Sequence, residues 1–368
     1  MIKQSLPSLF AALALTALMT GCSSGGSAAE TVAETTAAAQ ETAAGETAAS
    51  ETAAAGQSAA SEEPAAGDSA SADEAAVRVG SLKGPTSMGL VSLMEEDEDE
   101  GRYAFTMVTA ADELVAGVAS GKVDIALVPA NVASVLYNRT EGGVSAIDIN
   151  TLGVLYLVTA DSSVQSVADL KGRTVYLTGK GTTPDYVAQY LLRENGLTDG
   201  DVTLEYKSEA TEVAAILKEH PDAIGLLPQP FVTVACAQNE TLHIALDLTA
   251  EWDRVQGEGG SRLVTGVTIV RDEFLESRPE AVNTFLDDHQ ASVDAVLSDP
   301  GQAAGQIVKL GIIEQEAIAE QALPYCNITF LEGEEMKAAL SGYLNVLSEQ
   351  DPASVGGALP GDDFYYFR

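Results

Sequence analysis

The sequence predicts an α/β fold in two lobes, and three observations carry the prediction. Strand-like and helix-like segments alternate from residue 76 onward. The alternation runs twice, so that KGPTSMGLVSLM at 83–94 is answered by KGTTPDYVAQYLL at 180–192. Two long apolar runs, 146–160 and 263–270, bracket the second pass.

The first pass reads as strand 77–81, helix 85–94, strand 104–108, helix 112–120, strand 124–128 and helix 129–138. This βαβαβα order is the pattern of a parallel sheet with helices on both faces. The second pass reads as strand 174–177, helix 183–195, strand 202–206, helix 209–219, strand 223–227 and helix 228–239. Within it, DAIGLLPQP at 222–230 answers DIALVPAN at 124–131. Each has an aspartate, an apolar strand and a proline, and proline at the first helical position costs nothing because that amide has no intrahelical acceptor. Pro85, Pro129, Pro184 and Pro228 are therefore read as helix starts. α/β proteins in general share these signals, so the echo speaks for two lobes of similar wiring rather than for duplication. Further helices are expected at 279–297, 301–310, 315–321 and 332–347. The apolar runs lead out of and back into the first lobe, which assigns 76–155 and 263–368 to lobe 1 and 156–262 to lobe 2. Two crossing strands form a hinge that can absorb a closing motion in a few backbone angles.

The chain starts with MIKQSLPSLFAALALTALMTGC, one lysine followed by a short apolar stretch and small residues. That is an export signal, too short to span a bilayer. Its end, Leu18-Met19-Thr20-Gly21-Cys22, resembles the bacterial lipobox, whose cysteine becomes the lipid-bearing first residue; Met19 stands where that pattern prefers leucine. Cys22 is the expected lipidation site, the alternative being a plain secretory signal with an incidental cysteine. Residues 23–75 are almost only Ala, Ser, Thr, Gly and Glu and have little to bury against the entropy cost of ordering. They read as a disordered tether spanning on the order of 40 Å.

The whole chain carries 55 acidic and 19 basic residues, and from residue 76 the balance is 45 against 18. Such a surface disfavours nucleic acid and anionic lipid, and it serves solubility or a basic partner. The run EEDEDE at 95–100 lacks the ligand spacing of a calcium loop and reads as a solvated helix end. His220, His243 and His289 show no metal-ligand spacing. Cys236 and Cys326 both lie in apolar surroundings, and either one disulfide or two buried thiols fits. No metal, cofactor or catalytic residue is expected.

In a parallel sheet, ligands sit beyond the carboxyl ends of the strands. Both echoed loops lie there. A helix start offers unpaired N–H groups and a partial positive charge. Gly84 and Gly181 permit close backbone approach, and Thr86, Ser87, Thr182 and Thr183 add hydroxyls. The plainer reading is helix capping, with Thr183 before Pro184 as the cap. Asn131 and Gln229, at matching places after the third strand of each pass, can add amide contacts or serve as surface or capping residues. Trp252, the only tryptophan, is by default a core residue, with a pocket wall near the hinge as the alternative.

VRVGSLKGPTSMGL, GKVDIALVPANVASVLYN, VADLKGRTVYLTGKGTTPDYVAQYLLRENGL, FLESRPEAVNTFLDDHQASV and the ending LPGDDFYYFR together resemble the solute-binding lipoproteins of bacterial ABC importers. Within these, the chain looks like the nitrate, sulfonate and taurine group, which shares its fold with thiamine-pyrimidine binders. The resemblance implies a type II periplasmic binding protein fold whose lobes, joined by two hinge strands, close over a ligand in the cleft between them. It implies a monomer, lipid-anchored at the outer face of the cell membrane, that delivers a small polar or anionic organic solute to a permease with a cytoplasmic ATPase. It also implies ligand contacts from Thr86, Ser87, Met88, Asn131 and Gly181 to Thr183. Neither loop carries an arginine that would mark a strongly anionic substrate. Two other readings stay open: a sensor or adhesin lipoprotein that binds without transport, and a vitamin-biosynthesis enzyme on the same fold. The enzyme reading lacks a histidine or cysteine beside the loops.

Overall fold

The computed structural model describes residues 75–257 and 259–368. The export signal with Cys22, and the tether up to residue 74, lie outside the described residues. The chain begins with β1 (Val77–Leu82), α1 (Pro85–Met88), α2 (Val91–Glu96), β2 (Tyr103–Val108), α3 (Ala111–Ala119), β3 (Ile125–Pro129), α4 (Ala130–Arg139) and β4 (Val144–Leu152). It continues through β5 (Leu155–Thr159), β6 (Thr174–Thr178), α5 (Thr183–Glu194), β7 (Thr203–Lys207), α6 (Ala210–Glu219), β8 (Ile224–Pro228), α7 (Phe231–Gln238), β9 (His243–Asp247) and α8 (Leu248–Gln256). The last part comprises β10 (Val264–Arg271), α9 (Asp272–Ser277), α10 (Pro279–Ser298), α11 (Pro300–Lys309), α12 (Glu316–Ala322), β11 (Ile328–Leu331) and α13 (Gly333–Gln350).

These strands form two sheets, ordered β11-β4-β10-β3-β1-β2 and β7-β6-β8-β5-β9. Three strands of each are parallel, β2-β1-β3 in the first and β7-β6-β8 in the second. The fourth place in each is taken by a strand that the chain reaches from the other sheet. β10 lies antiparallel to β3 and β4, and β5 lies antiparallel to β8 and β9. The fold is therefore α/β with two mixed sheets rather than the wholly parallel ones that the alternation suggests. The echo in the sequence has its physical counterpart in the matching β2-β1-β3-β10-β4 and β7-β6-β8-β5-β9 arrangements.

Matching helices cover matching strands. In α3, Leu114 and Val118 are buried, and in α6, Val213 and Leu217 are. Each pair is four residues apart and so on one helix face. Burying each such side chain stabilises the fold by about 1.5–3 kcal/mol. The longer α10 buries Val282, Phe285, Leu286, His289, Val293 and Val296 along one stripe against the first sheet and its neighbours.

Several local expectations are corrected. The helix expected over 85–94 is two short ones, α1 and α2, separated by Gly89 and Leu90. Pro85 does open α1, but Pro184 is the second residue of α5, Pro129 is the N-cap of α4, and Pro228 ends β8 before α7 begins at Phe231. The apolar run 146–160 is two strands in different sheets, broken at Gly153 and Val154. β9, α8, α9 and β11 are absent from the sequence reading, being short or, in α8, only weakly apolar. In the acidic run, Asp97 is buried and accepts hydrogen bonds from the Arg102 and Tyr103 amides, so it closes a turn rather than facing solvent. Cys236 and Cys326 are free thiols, and burial pushes the Cys326 thiol up to about 12.

The aspartates that open the two echoed segments differ in role. Asp222 is exposed, whereas Asp124 is buried and accepts from the Arg78 amide and guanidinium and from Arg271 Nη2 at 3.1 Å. Burial alone raises the Asp124 carboxyl, but the two arginines outweigh it and hold the group below its ordinary value. A carboxyl depressed by folding stabilises the protein above its unfolded value near 4, and that contribution is lost as pH falls through the lower folded value. Asp124→Asn is expected to cost about 1–2 kcal/mol at pH 7, discounted because the Arg78 side chain is 43% exposed. Its acid limb below pH 4 should be shallower than the parent's in thermal melts. Parallel acid limbs would show that the arginine pairs contribute nothing.

Candidate functional site

The carboxyl ends of β1, β3 and β4 and the start of β10 share one edge of the first sheet, because β10 runs antiparallel to β3 and β4. The carboxyl ends of β6, β8 and β9 share one edge of the second sheet with the start of β5. The only residues between β4 and β5 are Gly153 and Val154, so the chain passes directly from one edge to the other. The return from α8 to β10 runs through residues 257–263. The Gln229 amide donates to Val154 O at 3.0 Å, Asn327 Nδ2 donates to Gly153 O, and Leu263 packs on Gly153. The crossing is thus gripped from both sheets.

On the first edge, Gly84 has φ +133, a conformation that glycine adopts freely, and places α1 directly over the end of β1. Thr86 Oγ1 donates to Leu82 O at 2.9 Å, and Ser87 Oγ lies 2.7 Å from Leu82 O and 2.8 Å from Ser81 Oγ. Both hydroxyls tie the loop back to its own strand. Ser87 and Met88 are fully buried, Met88 in an apolar cluster with Val91 and Val293. Thr86 lies against Gly266 of β10, whose missing side chain makes the room. α1 is a single turn, so it carries little of the dipole that the sequence argument assigned to this helix start. Asn131, partly exposed at the head of α4, reaches Ser354 O at 3.4 Å.

On the second edge, Gly179 and Gly181 have φ +74 and +72, and Thr182, not Thr183, is the N-cap of α5. Thr182 Oγ1 donates back to Gly179 O at 2.6 Å and so caps no helix amide. Asp185, in the first turn of α5, instead reaches back to the loop. It is buried, and its Oδ2 accepts from the Gly181 amide at 2.8 Å while its Oδ1 accepts from Tyr206 and Gln189. Gly181 and Thr182 are exposed, and Thr183 lies beside the Tyr343 hydroxyl of α13. Tyr186 donates to Asp351 Oδ2 at 2.9 Å; burial and that carboxylate push its phenol up to about 12. Residues 351–354 therefore meet Asn131 from one edge and Tyr186 from the other.

Gln229, just past β8, is 2% exposed, with Oε1 accepting from Thr233 Oγ1 at 2.9 Å. Trp252 is fully buried between Tyr190 and Tyr343 at ring-centroid distances of 4.6 and 5.6 Å, and its Nε1 donates to Ser261 O at 3.1 Å. The tryptophan is a core residue whose polar atom is satisfied. The residues of this region that sequence reasoning missed are Gly153, Thr249 and Tyr343. A lone glycine in an apolar run signals a break, and Asp247-Leu-Thr249 is an N-cap pattern, so two of the three had a usable signal.

Among the described residues there is no group of acidic, histidine or cysteine side chains able to hold a metal, and no helix long and apolar enough to cross a membrane. Residues 92–240 match the profile of a family described as ABC transporter, phosphonate, periplasmic substrate-binding protein. A putative binding protein from Brucella abortus is 23% identical over 250 residues, covering 67% of this chain and 75% of that protein. An ABC transporter structure from Parabacteroides distasonis superposes with TM-score 0.68 at 24% identity, covering 80% of this chain and 99% of that one. The periplasmic aliphatic sulphonate binding protein SsuA from Escherichia coli superposes with TM-score 0.62 at 16% identity, covering 77% and 95%. Two polar strand edges meeting at a two-residue crossing fit what these similarities give: the chain has the two-sheet fold of periplasmic binding proteins, and over residues 92–240 it is similar to the periplasmic substrate-binding proteins of ABC transporters.

Proposed function

We propose that the protein captures a small polar or anionic organic solute between lobe 1 (76–155 and 263–368) and lobe 2 (156–262), and delivers it to a permease driven by a cytoplasmic ATPase. The observation that carries this reading is the pair of polar strand edges joined at Gly153 and Val154. A rotation of a few backbone angles at that crossing and in 259–263 moves one edge against the other. Thr86, Asn131, Gly181, Thr182, Thr183 and Gln229 lie along those edges as candidate contacts. Ser87, Met88 and Trp252 act from beneath, Ser87 by holding the first loop on Leu82 and Trp252 by fixing α8. In this reading the protein is a monomer held at the outer face of the membrane by a lipid on Cys22, with residues 23–75 as tether.

The test is mass spectrometry on the full chain purified from its own host. A small molecule should be released on denaturation, and the intact mass should carry acyl chains on Cys22. Added back at one hundred times its dissociation constant, the solute should stabilise the folded state by about 2.7 kcal/mol. For a domain of this size that is a rise in melting temperature of about 5–10 °C. No released solute, and no shift with sulfonates, phosphonates, pyrimidines, flavins or amino acids, would sink the capture reading.

A further inference from the structure

β8 and β9 flank β5 on either side, with Pro228 opposite Leu155 and Asp247 opposite Tyr156. Gln229 and Thr249, just beyond those strands, therefore stand about two strand spacings apart, roughly 10 Å, with the Gly153–Val154 crossing between them. Each presents a buried polar atom with no protein partner, Gln229 Nε2 and Thr249 Oγ1. The orientation of the Gln229 amide is set by its neighbours. Thr233 offers its backbone N–H at 3.4 Å as well as its hydroxyl, so the oxygen must face Thr233 and the NH2 must face away. Thr249 is fixed by its own amide, which donates to Asp247 Oδ1 at 2.8 Å, and its hydroxyl lies against Gly153. Folded proteins rarely keep buried donors unpaired, because each costs about 1–3 kcal/mol. Two of them on either side of the sheet-to-sheet crossing form a donor pair for something that enters there.

The surroundings decide what that is. An anion needs cations or free helix-start amides. At the second loop the start of α5 already carries the buried Asp185 carboxylate, which takes the Gly181 amide just ahead of the helix, and at the first the Ser87 amide is taken by Gly84 O in a one-turn helix. Around α8 the charged groups are Asp247, Glu251, Asp253, Arg254 and, from the return segment, Arg262. Arg254 pairs with Glu251, and Arg262 lies 3.9 Å from Asp253. Three carboxylates thus stand here against two arginines, each arginine within ion-pair reach of one of them. We propose that the captured solute bears no net negative charge and places a carbonyl-type acceptor between Gln229 Nε2 and Thr249 Oγ1 beside Gly153.

This rests on the solute-capture reading, and the experiment separates the two. Ligand-free full chain is titrated calorimetrically with uracil, 2-pyrrolidone and N-acetylglycinamide in one arm, and with ethanesulfonate, methylphosphonate and acetate in the other. An uncharged amide should bind. Gln229→Glu, which puts an acceptor where the donor stands, and Thr249→Val should each weaken it by about tenfold or more. Either variant alone suffices should the other not fold. Binding in the anionic arm alone, or unchanged affinity in a folded variant, overturns the assignment and leaves solute capture intact. If both arms are silent, the charge of the solute released from the host-purified protein decides: a net anion overturns the assignment and an uncharged acceptor upholds it. With no released solute the capture reading falls and this one falls with it.

Discussion

Asp148→Ala is expected to destabilise the protein by about 3–5 kcal/mol, the cost of removing one partner from a buried, hydrogen-bonded polar group. Asp148 lies on β4 and is fully buried, as are Thr268, Thr151 and His289 around it. Thr268 donates to Asp148 Oδ1 at 2.8 Å and accepts from Asn150 Nδ2 at 3.1 Å, and Thr151 donates to Asn150 Oδ1 at 2.9 Å. On the other side His289 Nδ1 meets Asp148 Oδ2 at 3.3 Å, with the ring packed on Phe285 and Phe330. Alanine leaves the Thr268 hydroxyl and His289 Nδ1 in an apolar interior without an acceptor. Against a total stability of about 5–15 kcal/mol this is a large fraction, and the melting temperature should fall by about 10 °C or more. Pairing the change with His289→Leu removes both ends of the contact, so the double variant should lose less than the sum of the two single losses. A melt within 3 °C of the parent for Asp148→Ala would show that the polar chain across β4 and β10 carries little of the fold.

This polar chain also shows where sequence reading stops. AIDIN belongs to what reads as an apolar run, and every residue of β4 is buried, yet nothing in the run shows that Asp148 and Asn150 pair with Thr268 of β10 and His289 of α10. The echo between 83–94 and 180–192 was legible because it lives in backbone punctuation, glycine and proline at strand ends, and the two sheets do repeat one arrangement. What the loop side chains do was not legible, since short hydroxyls reach their own strand as easily as a ligand. Thr86 and Ser87 turn back to Leu82, Thr182 turns back to Gly179, and Asp185, which no motif marked, occupies the loop amide. Gln229 and Thr249 stand out only when tertiary structure shows which of their polar atoms are left over. The default core role of Trp252 matches its full burial, and the wall it builds is against Tyr343 of α13.

Gly153→Ala is expected to cost about 1–3 kcal/mol through overpacking and to lower the melting temperature by about 3–10 °C. A side-chain carbon there would come within 2.3 Å of Thr249 Oγ1 and 2.6 Å of Leu263 Cδ2. Gly153 does not have a positive φ, so the constraint is space and not backbone conformation. Leu263 is 1% exposed and cannot retreat without disturbing the start of β10, the other segment that joins the two sheets. Thr249 can turn away, but its hydroxyl then leaves the place it shares with Gln229. The variant should therefore lose solute affinity as well as stability. Thr249→Ala in the same chain removes the atom at 2.3 Å, so it should return part of the lost stability and none of the lost affinity. That split between melting temperature and dissociation constant distinguishes a crossing point that holds a ligand donor from one that is merely tightly packed. If Gly153→Ala melts within 1 °C of the parent and binds as the parent does, the crossing has slack and neither neighbour is held by it.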